Sequence, residues 1–243
     1  MPMLGFGTWQ IRGREAYDAV RTALDVGYRH VDTAALYENE AEVGRAIADS
    51  GLAREDVFIT TKLLHSDAGR AREALQDSLA ALGVDAVDLY LIHSPPGGAS
   101  PPTWEQLLAA RDAGWARAVG VSNYSTAQVD ELIQATGEAP AVNQVKWGPS
   151  LHDPGFLSES AQRNVVVEGY SPFRSTDLHD ETLVRIASDH GVTPAQVVLR
   201  WHLEHEIVVI PKSVTAERIR ANADIFGFSL SEEEVARIDA LSQ

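Results

Sequence analysis

Residues 27–40 read GYRHVDTAALYENE: a short apolar run around Val31, then polar residues, with Asp32 where the run stops and Tyr37 five positions later. A glycine, a β-branched run and a polar loop form the pattern of a strand passing into a βα turn. A carboxylate and a phenol at that junction need a reason. What that reason is depends on whether the unit repeats.

It repeats along the whole chain. Strands are predicted at 3–7, 28–33, 57–62, 87–93, 116–122, 141–145, 165–171 and 207–212, each a short β-branched or apolar run. Between them apolar residues recur at helical spacing: Ala16, Val20, Ala23 and Leu24; Ala71, Leu75, Leu79 and Leu82; Val129, Leu132 and Ile133. Gly27, Gly83, Gly114 and Gly137 follow helical runs, as helix-ending glycines do. Ser125 with Gln128, Thr193 with Gln196 and Ser231 with Glu234 have the spacing of capping boxes, and Pro194 suits a first helical position. Eight βα units of roughly 30 residues each predict an α/β fold, a (β/α)8 TIM barrel formed as a single domain of 243 residues. An open doubly wound sheet is the alternative.

Composition limits the function. With 44% hydrophobic and 23% charged residues the chain is an ordinary globular one. A formal charge of −15 opposes binding to nucleic acid or anionic membranes, so an anionic ligand needs a local basic pocket. There is no cysteine, which excludes disulfides, thiolate catalysis and thiolate metal sites. Neither a signal peptide nor a membrane span is legible, and a cytoplasmic location is expected.

In a barrel, reactive groups sit at strand C-termini and in the loops that follow. Asp32, Tyr37, Lys62 and His93 all meet that condition. A phenol is a weak acid, with a reference pKa near ~10, and needs a cation beside it to favour the phenolate it leaves behind. Lys62 can be that cation, Asp32 can hold it, and His93 can donate to a carbonyl oxygen. Only three of the 20 basic residues are lysines, namely Lys62, Lys146 and Lys212, and two of them stand at strand ends. Singly, each of these residues reads as a solvated rim or structural residue; the joint spacing carries the chemistry. Near the C-terminus, Lys212, Ser213 and Thr215 precede a helix whose first turn holds Arg218. That is a small basic pocket at a helix N-terminus, suited to a phosphate.

GYRHVDTAALYENEAEVG, TTKL, DLYLIHSP, GVSNYS, NQV, GYSPF and IPKSVTAERI, in that order along nearly the whole chain, resemble the successive signatures of the aldo-keto reductase family, in particular its bacterial diketogluconate-reductase-like members. The resemblance implies an NADPH-dependent oxidoreductase that reduces aldehydes, ketones or dicarbonyls. Tyr37 matches the family's proton donor, Lys62 and Asp32 the pair that tunes it, and His93 the residue orienting the carbonyl. Ser122, Asn123 and Gln144 match residues holding the nicotinamide carboxamide, and Tyr170 the ring stacked on it. Ser171, Phe173, Ser175 and Asp177 fall where the family wraps the pyrophosphate. Lys212, Ser213, Thr215 and Arg218 match the 2′-phosphate pocket, with Asn222 an adenine contact. Ala221 replaces a carboxylate that many members fold over the adenosine.

The chain also departs from the family pattern. Leu64 and Ser94 stand where several members have tryptophan, which leaves Trp9 as the aromatic match and predicts a wider, less aromatic substrate pocket. The loops at 94–102 and 173–178 are short, and the N-terminal hairpin that usually plugs the barrel floor is not legible. An exposed or differently covered floor is expected, in a monomer able to self-associate there. A nicotinamide-binding sensor or accessory subunit is the alternative function, and a barrel hydrolase or isomerase a third. No metal is expected: WHLEH places His202 and His205 three apart on a helix face, and zinc signatures use other spacings and a further ligand. Trp104, Trp115 and Trp201 are expected to pack, and Lys146 is assigned no catalytic role.

Overall fold

The computed structural model describes residues 1–174 and 176–242. Its strands are β1 (Phe6–Gly7), β2 (His30–Asp32), β3 (Phe58–Leu63), β4 (Val87–Ile92), β5 (Ala116–Ser122), β6 (Val142–Lys146), β7 (Val166–Tyr170) and β8 (Val208–Ile210). They pair in parallel, in sequence order. The ring closes where Gly5 N–H donates to the Val209 carbonyl at 2.9 Å and Val209 N–H to the Met3 carbonyl at 2.9 Å. That closure excludes the open sheet.

Helices α1 (Gly13–Asp25), α2 (Glu40–Ala48), α3 (Ala71–Leu82), α4 (Pro101–Asp112), α5 (Thr126–Thr136) and α6 (Pro154–Gln162) each link consecutive strands. Two helices, α7 (Glu181–His190) and α8 (Pro194–Glu204), fill the last crossover, and α9 (Ala216–Ala223) and α10 (Glu232–Asp239) follow β8. The units are therefore not uniform: α7 and α10 are additions to the eightfold repeat. All three expected capping boxes form, on α5, α8 and α10. Gly27, Gly83, Gly114 and Gly137 all take positive φ.

Side chains alternate across each strand. The outward set, including Val31, Ile59, Tyr90 and Val121, packs under the helices. Trp104 and Trp201 are wholly buried, while Trp115 is half-buried beneath the Arg72 guanidinium, 5.2 Å from its ring. The inward set fills the barrel with Phe58, Leu89, Leu91, Ala118 and Val142. Val166, on the inward-facing parity at the entry of β7, is 42% exposed, so the barrel floor is open to solvent there.

Gly44 shows how tightly the helical ring is built. A Cβ added to it would overlap the Leu82 carbonyl at the end of α3. Overpacking of this kind forces the backbone to shift. Gly44→Ala is expected to lower stability by about 1–3 kcal/mol in urea unfolding, with the fold retained; an unchanged midpoint would contradict this close approach.

Candidate active site

The parallel register aligns Asp32 with Thr60, so Lys62 lies one pleat further up the neighbouring strand, on the same inward face. His93 follows β4, and Tyr37 ends a 3-10 turn, Ala35–Tyr37, just after β2. The structure brings these four together. Lys62 is entirely buried. Its Nζ donates to Asp32 Oδ1 at 2.6 Å, to the Thr33 carbonyl at 3.0 Å and to the Tyr37 hydroxyl at 3.5 Å. Asp32 Oδ2 accepts from Gln144 Nε2 at 2.8 Å. The His93 ring meets the Tyr37 ring edge to face, with centroids 5.6 Å apart.

A buried asparagine sets the Tyr37 turn. Asn39 Oδ1 accepts from Thr33 Oγ1 at 2.7 Å, and its Nδ2 donates to the carbonyls of Thr8 at 3.0 Å and Ile11 at 2.8 Å. The loop after β2 is thereby fastened to the loop after β1. Glu38 between them takes a left-handed φ of 55°, a conformation that a non-glycine residue holds only when its surroundings fix it.

Burial and the ammonium act on the site in opposite directions. Burial pushes the Tyr37 phenol above its ordinary value, and the Lys62 charge pulls it back. Burial would lower Lys62, but Asp32 and Tyr37 outweigh it and hold the amine charged. His93 is pushed down to about 3, by burial first and by Lys62 second, so its imidazole is neutral. Its Nδ1 is buried without a partner, which leaves Nε2 to serve the pocket.

That pocket has a volume of about 610 Å³ and is lined by Trp9, Tyr37, His93, Ser122, Asn123, Gln144, Lys146, Tyr170, Ser171 and Arg174. Ser122 Oγ donates to the Gln144 carbonyl at 2.8 Å, Asn123 Nδ2 to Ser122 Oγ at 3.0 Å, and the Tyr170 hydroxyl to Asn123 Oδ1 at 2.9 Å. Asn123 and Ser171 both carry left-handed φ, 62° and 54°. A second cavity of about 520 Å³ collects Phe173, Lys212, Ser213, Thr215, Arg218, Ala221 and Asn222. Thr215 precedes α9 without a side-chain cap, so the first N–H groups of that helix remain available to an anion. Cations, hydroxyls and free N–H groups, set against the apolar Phe173, Leu178 and Ala195, fit a phosphate-bearing adenosine.

Not every expected residue joins the two cavities. Leu64 is half-buried where the chain turns into the 3-10 segment His65–Arg70, and Ser94 is half-buried beyond His93. Neither is among the residues that line that pocket, where the cations Lys146 and Arg174 stand instead. Asp177 Oδ1 is occupied by the His179 N–H at 2.9 Å, in its own turn. Ser175 lies outside the described residues.

Sequence reasoning missed Asn39 and Glu168. The signal for Glu168 was a carboxylate in the middle of the apolar run VVVEGY. It is wholly buried inside the barrel, both oxygens lack a hydrogen-bond partner, and His30 Nε2 lies 3.7 Å away. Burial first, and the Asp32 charge second, push its carboxyl up to about 8, while the nearby Gln144 amide and then Lys62 oppose them.

A barrel whose strand ends carry a lysine-backed phenol beside a neutral imidazole, next to a phosphate-fitting cavity, defines a (β/α)8 oxidoreductase acting on carbonyl groups. Residues 3–243 match the model of the aldo/keto reductase family. The chain is 43% identical to an aldo-keto reductase of Mycolicibacterium smegmatis, over 99% of this chain and 90% of that one. It is 40% identical to the Escherichia coli methylglyoxal reductase DkgA, over 100% and 90%. An aldo/keto reductase structure from Brucella melitensis superposes with a TM-score of 0.96 at 42% identity, covering 99% of this chain and 94% of that one. A Bombyx mori aldo-keto reductase in complex with NADP gives 0.92 at 32% identity, covering 99% and 89%. The chain belongs to the aldo/keto reductase family.

Glu168 makes stability depend on pH in a defined sense. Folded, its carboxyl keeps its proton up to about 8, against an ordinary glutamate value of 4.5, so the native state binds the extra proton between those values. Its favourable contribution is complete below about pH 4.5 and is lost as pH rises toward 8. Relative to wild type, Glu168→Gln should gain more than about 1 kcal/mol across that range in urea unfolding at stepped pH; a difference independent of pH would contradict the assignment.

Proposed function

We propose that the protein is an NADPH-dependent carbonyl reductase in which Tyr37 protonates the carbonyl oxygen, Lys62 and Asp32 tune Tyr37, and His93 orients the substrate. The carrying observation is Lys62, buried with one donor on Asp32, one on the Thr33 carbonyl and the third directed at the Tyr37 hydroxyl. Reduction of aldehydes or ketones follows from the family. The relatives named methylglyoxal reductases extend the reading to small dicarbonyls, and the NADP-complexed neighbour supports the cofactor.

The cofactor supplies the hydride when bound. Asn123, Ser122 and Gln144 would hold its carboxamide, Tyr170 its nicotinamide face, and Ser171 and Phe173 its central part. Lys212, Ser213, Thr215 and Arg218 would take a 2′-phosphate and Asn222 the adenine, a donor set that favours NADPH over NADH. Neutral His93 offers one N–H to the substrate oxygen from Nε2. As negative charge builds on that oxygen, Tyr37 gives up its proton, and the phenolate left behind is stabilised by the ammonium 3.5 Å away. The chain works in this reading as a single domain in the cytoplasm. Among the described residues no helix is long and apolar enough to cross a membrane.

Tyr37→Phe keeps the ring and removes the proton. With NADPH and methylglyoxal, kcat should fall on the order of 10²–10⁴-fold, while quenching of tryptophan fluorescence by NADPH persists. Turnover near the wild-type rate would overturn the proton-donor role.

A further inference from the structure

Away from both cavities, three segments distant in sequence converge. His152 follows a 3-10 turn, Pro149–Leu151, between β6 and α6; His205 closes α8; Asp239 is the last residue of α10. The spacing of WHLEH gave no ligand set; His202 is wholly buried, with Nδ1 bonded to the Val198 carbonyl at 2.7 Å, and is not part of this cluster. His205 has different neighbours. Its Nε2 lies 2.8 Å from Asp239 Oδ1, and its ring is 4.7 Å from the His152 ring, centroid to centroid.

We propose that His152, His205 and Asp239 form a binding site for a divalent transition-metal cation of the zinc type, which ties the C-terminal helix α10 to α8 and to the loop after β6.

Geometry is the first support. One ligand atom from each residue lies within 4.8 Å of the others. The measured separations are 2.8 Å from His205 Nε2 to Asp239 Oδ1 and 3.7 Å from His152 Nε2 to Asp239 Oδ2. Donors on a tetrahedral zinc ion, with bonds of about 2.0–2.2 Å, stand about 3.3–3.6 Å apart, so the His152 separation is already close to what the ion requires, while His205, now hydrogen-bonded to Asp239, has to draw back by roughly half an ångström. The second support is His152 itself. Its side chain is only 8% exposed, its Nδ1 is buried without a partner, and its Nε2 faces Asp239 from beyond hydrogen-bond reach. A nearly buried imidazole aimed at a carboxylate it does not bond is explained by an ion between them.

The surroundings agree. The Trp201 indole N–H donates to Asp239 Oδ1 at 2.7 Å and fixes that carboxylate from behind, the kind of outer contact that orients a metal ligand. Two imidazoles and one carboxylate select zinc, cobalt or nickel over magnesium or calcium. The side chains of His205 and Asp239 are 19% and 28% exposed, so an ion can enter and keep water in a fourth position. The chain's charge of −15 favours a cation as well.

The test uses the full chain without affinity tags, stripped with chelator and titrated with zinc chloride by calorimetry, then with cobalt chloride read by its visible absorption. The expected result is one zinc ion bound per chain at micromolar concentration, a cobalt spectrum of low coordination number, and a melting temperature raised by roughly 5–10 °C at a hundredfold excess over the dissociation constant. His152→Gln removes a ring that makes no hydrogen bond but packs edge to face on Trp201, with centroids 5.4 Å apart, so each variant's own metal-free melting temperature is the baseline for its zinc titration. His152→Gln should weaken zinc at least tenfold and abolish most of the thermal rise, and His205→Gln should do the same. Absence of zinc binding at 100-fold molar excess overturns the site. So does binding that persists undiminished in both variants, which would place the ion on other surface histidines.

Discussion

The buried ion pair between Asp32 and Lys62 is the constraint on which the rest of the site depends. Two charges inside a barrel are expensive unless each remaining donor and acceptor is engaged, and breaking such a pair leaves one charge stranded at a cost of about 3–5 kcal/mol. Here the pair is satisfied. Asp32 receives Lys62 on one oxygen and Gln144 on the other, and Lys62 adds the Thr33 carbonyl. The one loosely held donor of the ammonium is the one directed at Tyr37, at 3.5 Å. The same bonds that make the pair tolerable thus leave a single direction for its chemistry.

Gln144 links this pair to the neighbouring pocket. Its Nε2 is committed to Asp32 while its backbone carbonyl accepts from Ser122, which in turn accepts from Asn123. A residue expected only to hold a carboxamide is therefore also a support of the ion pair. Glu168 and His30 lie beneath, buried and neutral through desolvation, so the barrel interior adds no further fixed charge to compete with Asp32 for Lys62.

Much of the fold was legible because it follows from periodicity. Short strands alternating with helical runs give the eightfold repeat, and the capping boxes and helix-ending glycines appear where local chemistry demands them. What could not be read were features set by tertiary packing. Leu183, Ile186 and Ala187 recur at helical spacing and Thr193 with Gln196 caps α8, but that both helices fill one crossover is decided by how they pack. The four catalytic candidates were legible since each stands at a strand end or in the loop that follows; Asn39 was not, because its role depends on Thr8 and Ile11, about 30 residues away in sequence. His152, His205 and Asp239 were invisible for the same reason: no spacing in sequence brings a loop and two helices to one point.

The central claim is that Lys62 acts through Tyr37. A double-mutant cycle tests it most directly, with kcat for NADPH-dependent methylglyoxal reduction measured in wild type, Tyr37→Phe, Lys62→Met and the double variant, and folding of each checked by circular dichroism. The account predicts that once Tyr37 is gone, removing Lys62 costs little more, so the double variant matches Tyr37→Phe within a few fold. Losses that multiply, with the double variant slower by the product of the two single effects, would show that the amine and the phenol act independently and would contradict the account.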